Sequence, residues 1–272
     1  LEDDTLIMAH RGAALHAPEN TLAAVHRAIS DSTDYIEIDV QETADGEVAV
    51  FHDSDFMKTA RNPLTIWTAR RADLDAIDIG SWFDPAYAAE RVPTLEEVLE
   101  AAHGQSRVVI ELKYYGHDED LERRVIDLVE QAGMVDQIVV MSLKYDKVQK
   151  IRAMRPDWTY GLLTSVNLGD ATRFDVDFLA VNAVTATRGF VERAHRAGME
   201  VYVWTVNDPY LMSAMMSRNV DGIITDDPGL AREVLEIRSR MDPVQRLLVG
   251  IGSEIGVFSM TEEDQTTDEA DA

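Results

Sequence analysis

Short apolar runs alternate with amphipathic segments along most of this chain, and that alternation constrains the fold more than any other feature. The pattern predicts strands near 5–9, 35–40, 107–112, 137–142, 159–163, 177–181, 200–205 and 222–225, with a hairpin arm over 47–52 after the second. Helices fit 20–30, 94–103, 118–131, 145–154, 188–197, 209–217 and 228–238. Start signals such as Pro93-Thr94-Leu95-Glu96-Glu97 and Asp208-Pro209 open several of them. Eight strands, each usually followed by a helix, predict an α/β protein whose parallel sheet closes as a (β/α)8 TIM-type barrel. The 272 residues suit one such domain, which commonly needs ~250. The expected organisation is a barrel over 1–240, a C-terminal extension over 241–260 and a disordered tail over 261–272, which carries six acids and no base. The stretch 54–92 breaks the alternation and reads as a small, loop-rich insertion after the second strand, with Trp67, Trp82 and Phe83 inside it.

Composition removes several classes of function. There is no cysteine, which excludes disulfides, zinc–thiolate sites and a cysteine nucleophile. Fifty acidic against 25 basic residues give a net charge of −25, which argues against nucleic acid and against anionic membrane surfaces. No apolar run reaches the ~18–20 residues a membrane span requires, and Leu247–Gly252 is too short. The chain starts at Leu1 with no signal-peptide pattern, and is expected to be a fragment or a processed form.

Strand alternation supplies the chemistry. Residues i and i+2 project from one face, so in Tyr35–Val40 the apolar Ile36, Ile38 and Val40 share one side while Glu37 and Asp39 share the other. Two adjacent carboxylates repel and desolvate badly unless a cation lies between them. The same rule sets Glu111 beside Lys113, and a third acid completes a hard, oxygen-lined site suited to Mg2+ or Ca2+. A two-residue turn at Asp45-Gly46 would pair Ala44 with Glu47 and, counting outward, Asp39 with His52. That register stands an imidazole beside the acids. His10 ends the apolar run 6–9, followed by Arg11, whose planar fork suits phosphate oxygens, and by Gly12, which lets backbone approach a ligand. Every one of these residues falls near the C-terminal end of a strand, where barrels of this type carry their sites.

Five short motifs in order, Met8–Gly12, Pro18-Glu19-Asn20-Thr21, Ile36–Asp39, Phe51-His52-Asp53 and Ile110–Lys113, resemble the glycerophosphodiester phosphodiesterase family. The resemblance reaches from about Leu6 to about Leu235. Trp204-Thr205-Val206-Asn207 and the run 221–228 also look like that family. It implies metal-dependent hydrolysis of a small glycerophosphodiester to sn-glycerol 3-phosphate and an alcohol. Carried over, Glu37, Asp39 and Glu111 are the ligands of one divalent cation, Mg2+ or Ca2+. His10 and His52 are the acid–base pair, Arg11 and Lys113 grip the phosphate, and Trp204 packs over the substrate. Gly80–Phe83, leading to 91–97, resembles the family's insertion, which covers the site and helps hold the glycerol group; its usual glycine-rich segment is here Arg61-Asn62-Pro63-Leu64.

Two other readings stay open at this point. Phospholipase D toxins share the His and carboxylate set and release cyclic phosphates from lysophospholipids. A non-catalytic barrel that only binds a ligand would need a lost catalytic position, and none is lost. From Lys113-Tyr114-Tyr115-Gly116-His117 onward the chain looks most like catalytic domains that follow a membrane region, so an upstream anchor is an expectation too.

Overall fold

The computed structural model describes residues 4–117, 119–164, 173–242 and 245. The expected extension and acidic tail lie outside these residues, apart from 241, 242 and 245. Eight parallel strands form a closed ring: β1 (Leu6–Ala9), β2 (Tyr35–Glu42), β6 (Arg107–Leu112), β7 (Ile138–Ser142), β8 (Tyr160–Thr164), β9 (Phe178–Asn182), β10 (Glu200–Trp204) and β11 (Gly222–Thr225). β1 pairs with both β11 and β2, which closes the barrel. Among the described residues seven helices wrap it: α1 (Leu22–Ser30), α4 (Leu95–Ala102), α5 (Leu121–Gln131), α6 (Tyr145–Met154), α7 (Arg188–Arg196), α8 (Pro209–Ser217) and α9 (Pro228–Ser239). The expected (β/α)8 barrel is the fold.

Both faces of β2 are buried, for different reasons. Ile36, Ile38 and Val40 join the layer between sheet and helices, with Val25, Val98 and Leu99. Each such side chain contributes roughly 1.5–3 kcal/mol by leaving water. The other face looks into the barrel. Its lower layers are filled by Met8, Tyr35, Val109, Val139, Phe178 and Tyr202. The interior is therefore a packed core, and polar side chains gather at its upper end. Helix starts follow the sequence signals. Thr94 and Glu97 cap α4 reciprocally, with Thr94 N–H donating to Glu97 Oε2 at 2.7 Å, and Asp208 accepts from Leu211 N–H at the head of α8. Caps of this kind are worth about 1 kcal/mol each.

The hairpin departs from expectation. β3 (Val48–Val50) pairs antiparallel to β2 with Val40 opposite Val50 and Glu42 opposite Val48. The loop holds three residues, 44–46, and is closed by Thr43 N–H to Glu47 C=O at 3.0 Å. The Thr43 hydroxyl accepts from Glu47 N–H at 2.9 Å, and Gly46 sits at φ +84°. A glycine in the left-handed region after a tight turn makes this a three-residue loop, not the two-residue turn read from Asp45-Gly46. One extra residue shifts the register by one, so Asp39 faces Phe51 (Phe51 N–H to Asp39 C=O, 3.0 Å) and His52 falls beyond the paired strand.

The segment after β3 is more ordered than a loop-rich reading implies. It contains β4 (Asp55–Phe56) paired with β5 (Asn62–Thr65), α2 (Met57–Ala60) and α3 (Arg71–Leu74). Phe51, Phe56, Ile66, Leu74, Ile79 and Val92 give it an apolar cluster of its own. Among the described residues no helix is long and apolar enough to cross a membrane.

Candidate active site

The upper end of the barrel opens into a cleft lined by His10, Arg11, Glu37, His52, Glu111, Lys113 and Trp204, with Met141, Leu143, Leu163 and Ile224 forming an apolar wall. Parallel pairing sets Asp39 level with Glu111 on neighbouring strands, with Glu37 two residues below Asp39 on the same face. One carboxylate oxygen from each of the three lies within 4.8 Å of the others, and all three residues are buried. All eight residues singled out from the sequence therefore meet in one place, seven of them lining the cleft and Asp39 standing with Glu37 and Glu111 in the acid cluster.

Three buried acids this close need compensation. Asp39 has it: burial alone would raise its pKa, but Lys113, His52, Arg11 and the Asn20 amide together hold it well below the usual carboxylate range. Lys113 Nζ lies 3.2 Å from Glu111 and 3.5 Å from Asp39, Arg11 Nε lies 3.4 Å from Asp39, and Asn20 Nδ2 donates to Asp39 at 2.8 Å. Glu37 lacks such cover. Burial, then the Asp39 charge, push it up to about 8, against His10 and the Arg11 backbone N–H. Glu111 is also raised, by burial and by Asp39, with Lys113 opposing. Three hard oxygen donors, two of them unwilling to ionise without a further cation, fit a divalent metal ion. The cluster could hold one.

Each imidazole is oriented by an acid. His10 Nδ1 lies 2.7 Å from Asp226 Oδ1, and Asp226 in turn accepts from Asn207 Nδ2 at 2.6 Å. Asn207 Oδ1 is itself held by Asp226 N–H and the Thr225 hydroxyl. Burial and Arg11 pull the His10 pKa down, yet Asp226 and Glu37 outweigh them and raise it to about 9. His52 Nδ1 lies 2.7 Å from Asp53 Oδ1. Both rings thus turn their other nitrogen away from these acids.

The sequence reading placed the motif Pro18–Thr21 but gave its residues no task. Asn20, at φ +55°, clamps Asp39 by accepting its backbone N–H and donating to its carboxylate. Glu19 pairs with Arg11 at 3.1 Å and with Lys58 of α2 at 3.0 Å, tying the insertion to the arginine of the cleft. Thr21 caps α1. Asp226 and Asn207 also lay in noted motifs without a role. Their contact with His10 depends on β11 lying beside β1 and β10 beside β11, which no local pattern states. Gly12 sits at φ +82°, and a Cβ there would come within 2.7 Å of the Ala24 backbone. That position keeps the Arg11 N–H on Glu37 at 2.8 Å.

A barrel with a hard-acid cluster, two acid-oriented histidines and two cations at its C-terminal face is the architecture of a phosphoester hydrolase. The chain belongs to the glycerophosphoryl diester phosphodiesterase family, whose pattern it matches over residues 10–230. It is 32% identical over 234 residues to a glycerophosphodiester phosphodiesterase of Caldanaerobacter subterraneus subsp. tengcongensis, covering 82% of this chain and 95% of that one. Among solved structures, an Oleispira antarctica phosphodiesterase in complex with the product sn-glycerol-3-phosphate superimposes with a TM-score of 0.81 at 27% identity, covering 85% and 96% of the two chains. A glycerophosphodiester phosphodiesterase from Agrobacterium tumefaciens gives 0.75 at 29% identity, covering 84% and 99%.

Proposed function

We propose that this chain hydrolyses small glycerophosphodiesters to sn-glycerol 3-phosphate and an alcohol, using one divalent cation, Mg2+ or Ca2+, held by Glu37, Asp39 and Glu111. The observation that carries this reading is the buried triad of acids within 4.8 Å, set in one cleft with both histidines, Arg11 and Lys113. Bound there, the cation supplies positive charge to the phosphoryl oxygens and cancels the Glu37 charge that helps hold the proton on His10.

Arg11 and Lys113 hold the phosphate oxygens as the charge on phosphorus builds. His10, aligned by Asp226, takes the proton from the glycerol 2-hydroxyl as that oxygen attacks phosphorus. His52 delivers a proton to the leaving alkoxide, so the phosphorus–alcohol bond breaks and a cyclic phosphate forms. The roles then reverse: His52 takes a proton from water, which opens the ring, and His10 protonates the 2-oxygen. Trp204 lies against the bound substrate, and the insertion covers it.

The test is turnover of a panel of glycerophosphodiesters with and without chelator, with products followed by phosphorus NMR. Metal-dependent formation of sn-glycerol 3-phosphate supports the reading. A cyclic phosphate that persists as the final product would replace it with a phospholipase D-type reaction, and no turnover of any diester would leave a binding barrel.

A further inference from the structure

His52 reaches the cleft although the β2–β3 register does not bring it there. Phe51 is the residue opposite Asp39, so continued strand alternation would turn His52 away from the acids. The backbone instead curls immediately after β3. What it curls around is the side-chain amide of Gln41, two residues beyond Asp39 on the same face of β2. Gln41 Nε2 lies 2.7 Å from the carbonyl oxygen of Phe51, 3.2 Å from that of His52 and 2.8 Å from that of Asp53. An amide nitrogen has two protons for these three acceptors. The most distant of them, the His52 carbonyl, also receives the Tyr115 hydroxyl at 2.8 Å. Gln41 is buried, and three convergent carbonyls without this donor would repel one another. Tyr115 comes from the loop after β6, next to Lys113, and its ring packs near Trp67 of the insertion at 6.0 Å.

We propose that Gln41, assisted by the Tyr115 hydroxyl, is a positioning residue for the reaction: it gathers the carbonyls of 51–53 and so holds the His52 imidazole over the site. Gln41 does not touch the reacting atoms. It acts through the backbone of His52, while Asp53 fixes the ring. Tyr115 links that placement to the loop carrying Lys113, so the acid and the phosphate grip are set by one network. This rests on the reading of His52 as the acid that protonates the leaving alcohol.

The experiment uses the full chain with its metal. Gln41→Met removes the donors at similar volume, and Tyr115→Phe removes only the hydroxyl, which keeps a test available should the first variant misfold. Each is measured alone and in a His52→Ala background. Substrates are glycerophosphodiesters with choline or ethanolamine leaving groups and one with a p-nitrophenyl leaving group, which keeps the glycerol 2-hydroxyl as nucleophile and whose phenolate leaves with little help from an acid. The expected result is a loss of roughly tenfold or more in the single-turnover rate of alcohol release, the step before His52 is needed to activate water, on the alkoxide leaving groups, bounded by the ~10²–10⁴ that a general acid contributes. Release of p-nitrophenolate from the glyceryl diester should change little, half-saturation should hold, and neither variant should add to His52→Ala. Equal losses on both substrate classes, or losses that persist in the His52→Ala background, overturn the proposal. If His52→Ala itself shows no leaving-group preference, the acid assignment falls; additivity in the double variants then decides the positioning role alone, non-additive losses supporting it and additive ones overturning it.

Discussion

Removing the divalent cation should make the folded protein lose stability as pH rises, and Glu37→Gln should make that dependence shallower. Glu37 titrates near 8 in the metal-free fold against an ordinary 4.5, because it is buried beside Asp39. A carboxyl whose pKa is raised on folding favours the folded state while protonated, and that contribution is lost as pH climbs from 4.5 through 8. At 1.36 kcal/mol per pKa unit, the loss from this one group between pH 6 and pH 8 is about 2 kcal/mol. For a chain of this size that lowers Tm by roughly 4–8 °C. His10, raised from 6.5 to about 9, acts in the same direction: its stabilisation is complete below 6.5 and fades as pH passes 9. Calorimetry or far-UV melting in chelator at half-unit pH steps reads the slope, and the difference between wild type and Glu37→Gln cancels the titrating groups that do not interact with Glu37. Saturating Mg2+ or Ca2+ should raise the wild-type Tm more at pH 8 than at pH 6, because there the ligand is already ionised. Parallel Tm–pH profiles for the metal-free wild type and Glu37→Gln would refute the reasoning, as would a wild-type Tm that rises over this range.

Glu37→Ala, Asp39→Ala and Glu111→Ala should each abolish metal-dependent turnover, with calorimetric titration showing lost cation binding; near-normal activity and affinity in any one would remove that residue from the site. Asp226→Asn should lower the His10 pKa from about 9, since the ion pair that raises it is gone. NMR titration of His10 in the metal-free protein measures the shift, and an unmoved pKa would dismiss Asp226 as its partner. Gly12→Ala places a Cβ 2.7 Å from the Ala24 backbone at φ +82°. It should cost on the order of 1–3 kcal/mol, and an unchanged Tm would show that the β1–α1 turn relaxes freely.

The barrel was legible in the chain because its signals are local. The eight apolar runs correspond to the eight ring strands within one or two residues, and α6 and α8 begin and end as the pattern predicts. The Glu37/Asp39 pair followed from the period of two along a single strand, and Glu111 from the same rule on the next. The hairpin register was not legible. Asp45-Gly46 reads as a two-residue turn, and the Thr43 hydroxyl that closes a three-residue loop leaves no signature in the spacing. The partners of the functional residues were hidden for a related reason. Asp226 meets His10 across 216 residues of sequence, and Asn20 clamps Asp39 across 19. A residue's type and the face it takes on its strand are set by its neighbours in the chain. Which acid orients His10 depends on ring closure between β1 and β11, because only that closure brings the two ends of the barrel domain into contact. Which donors make the buried Asp39 tolerable depends on β1 and β6 pairing on either side of β2.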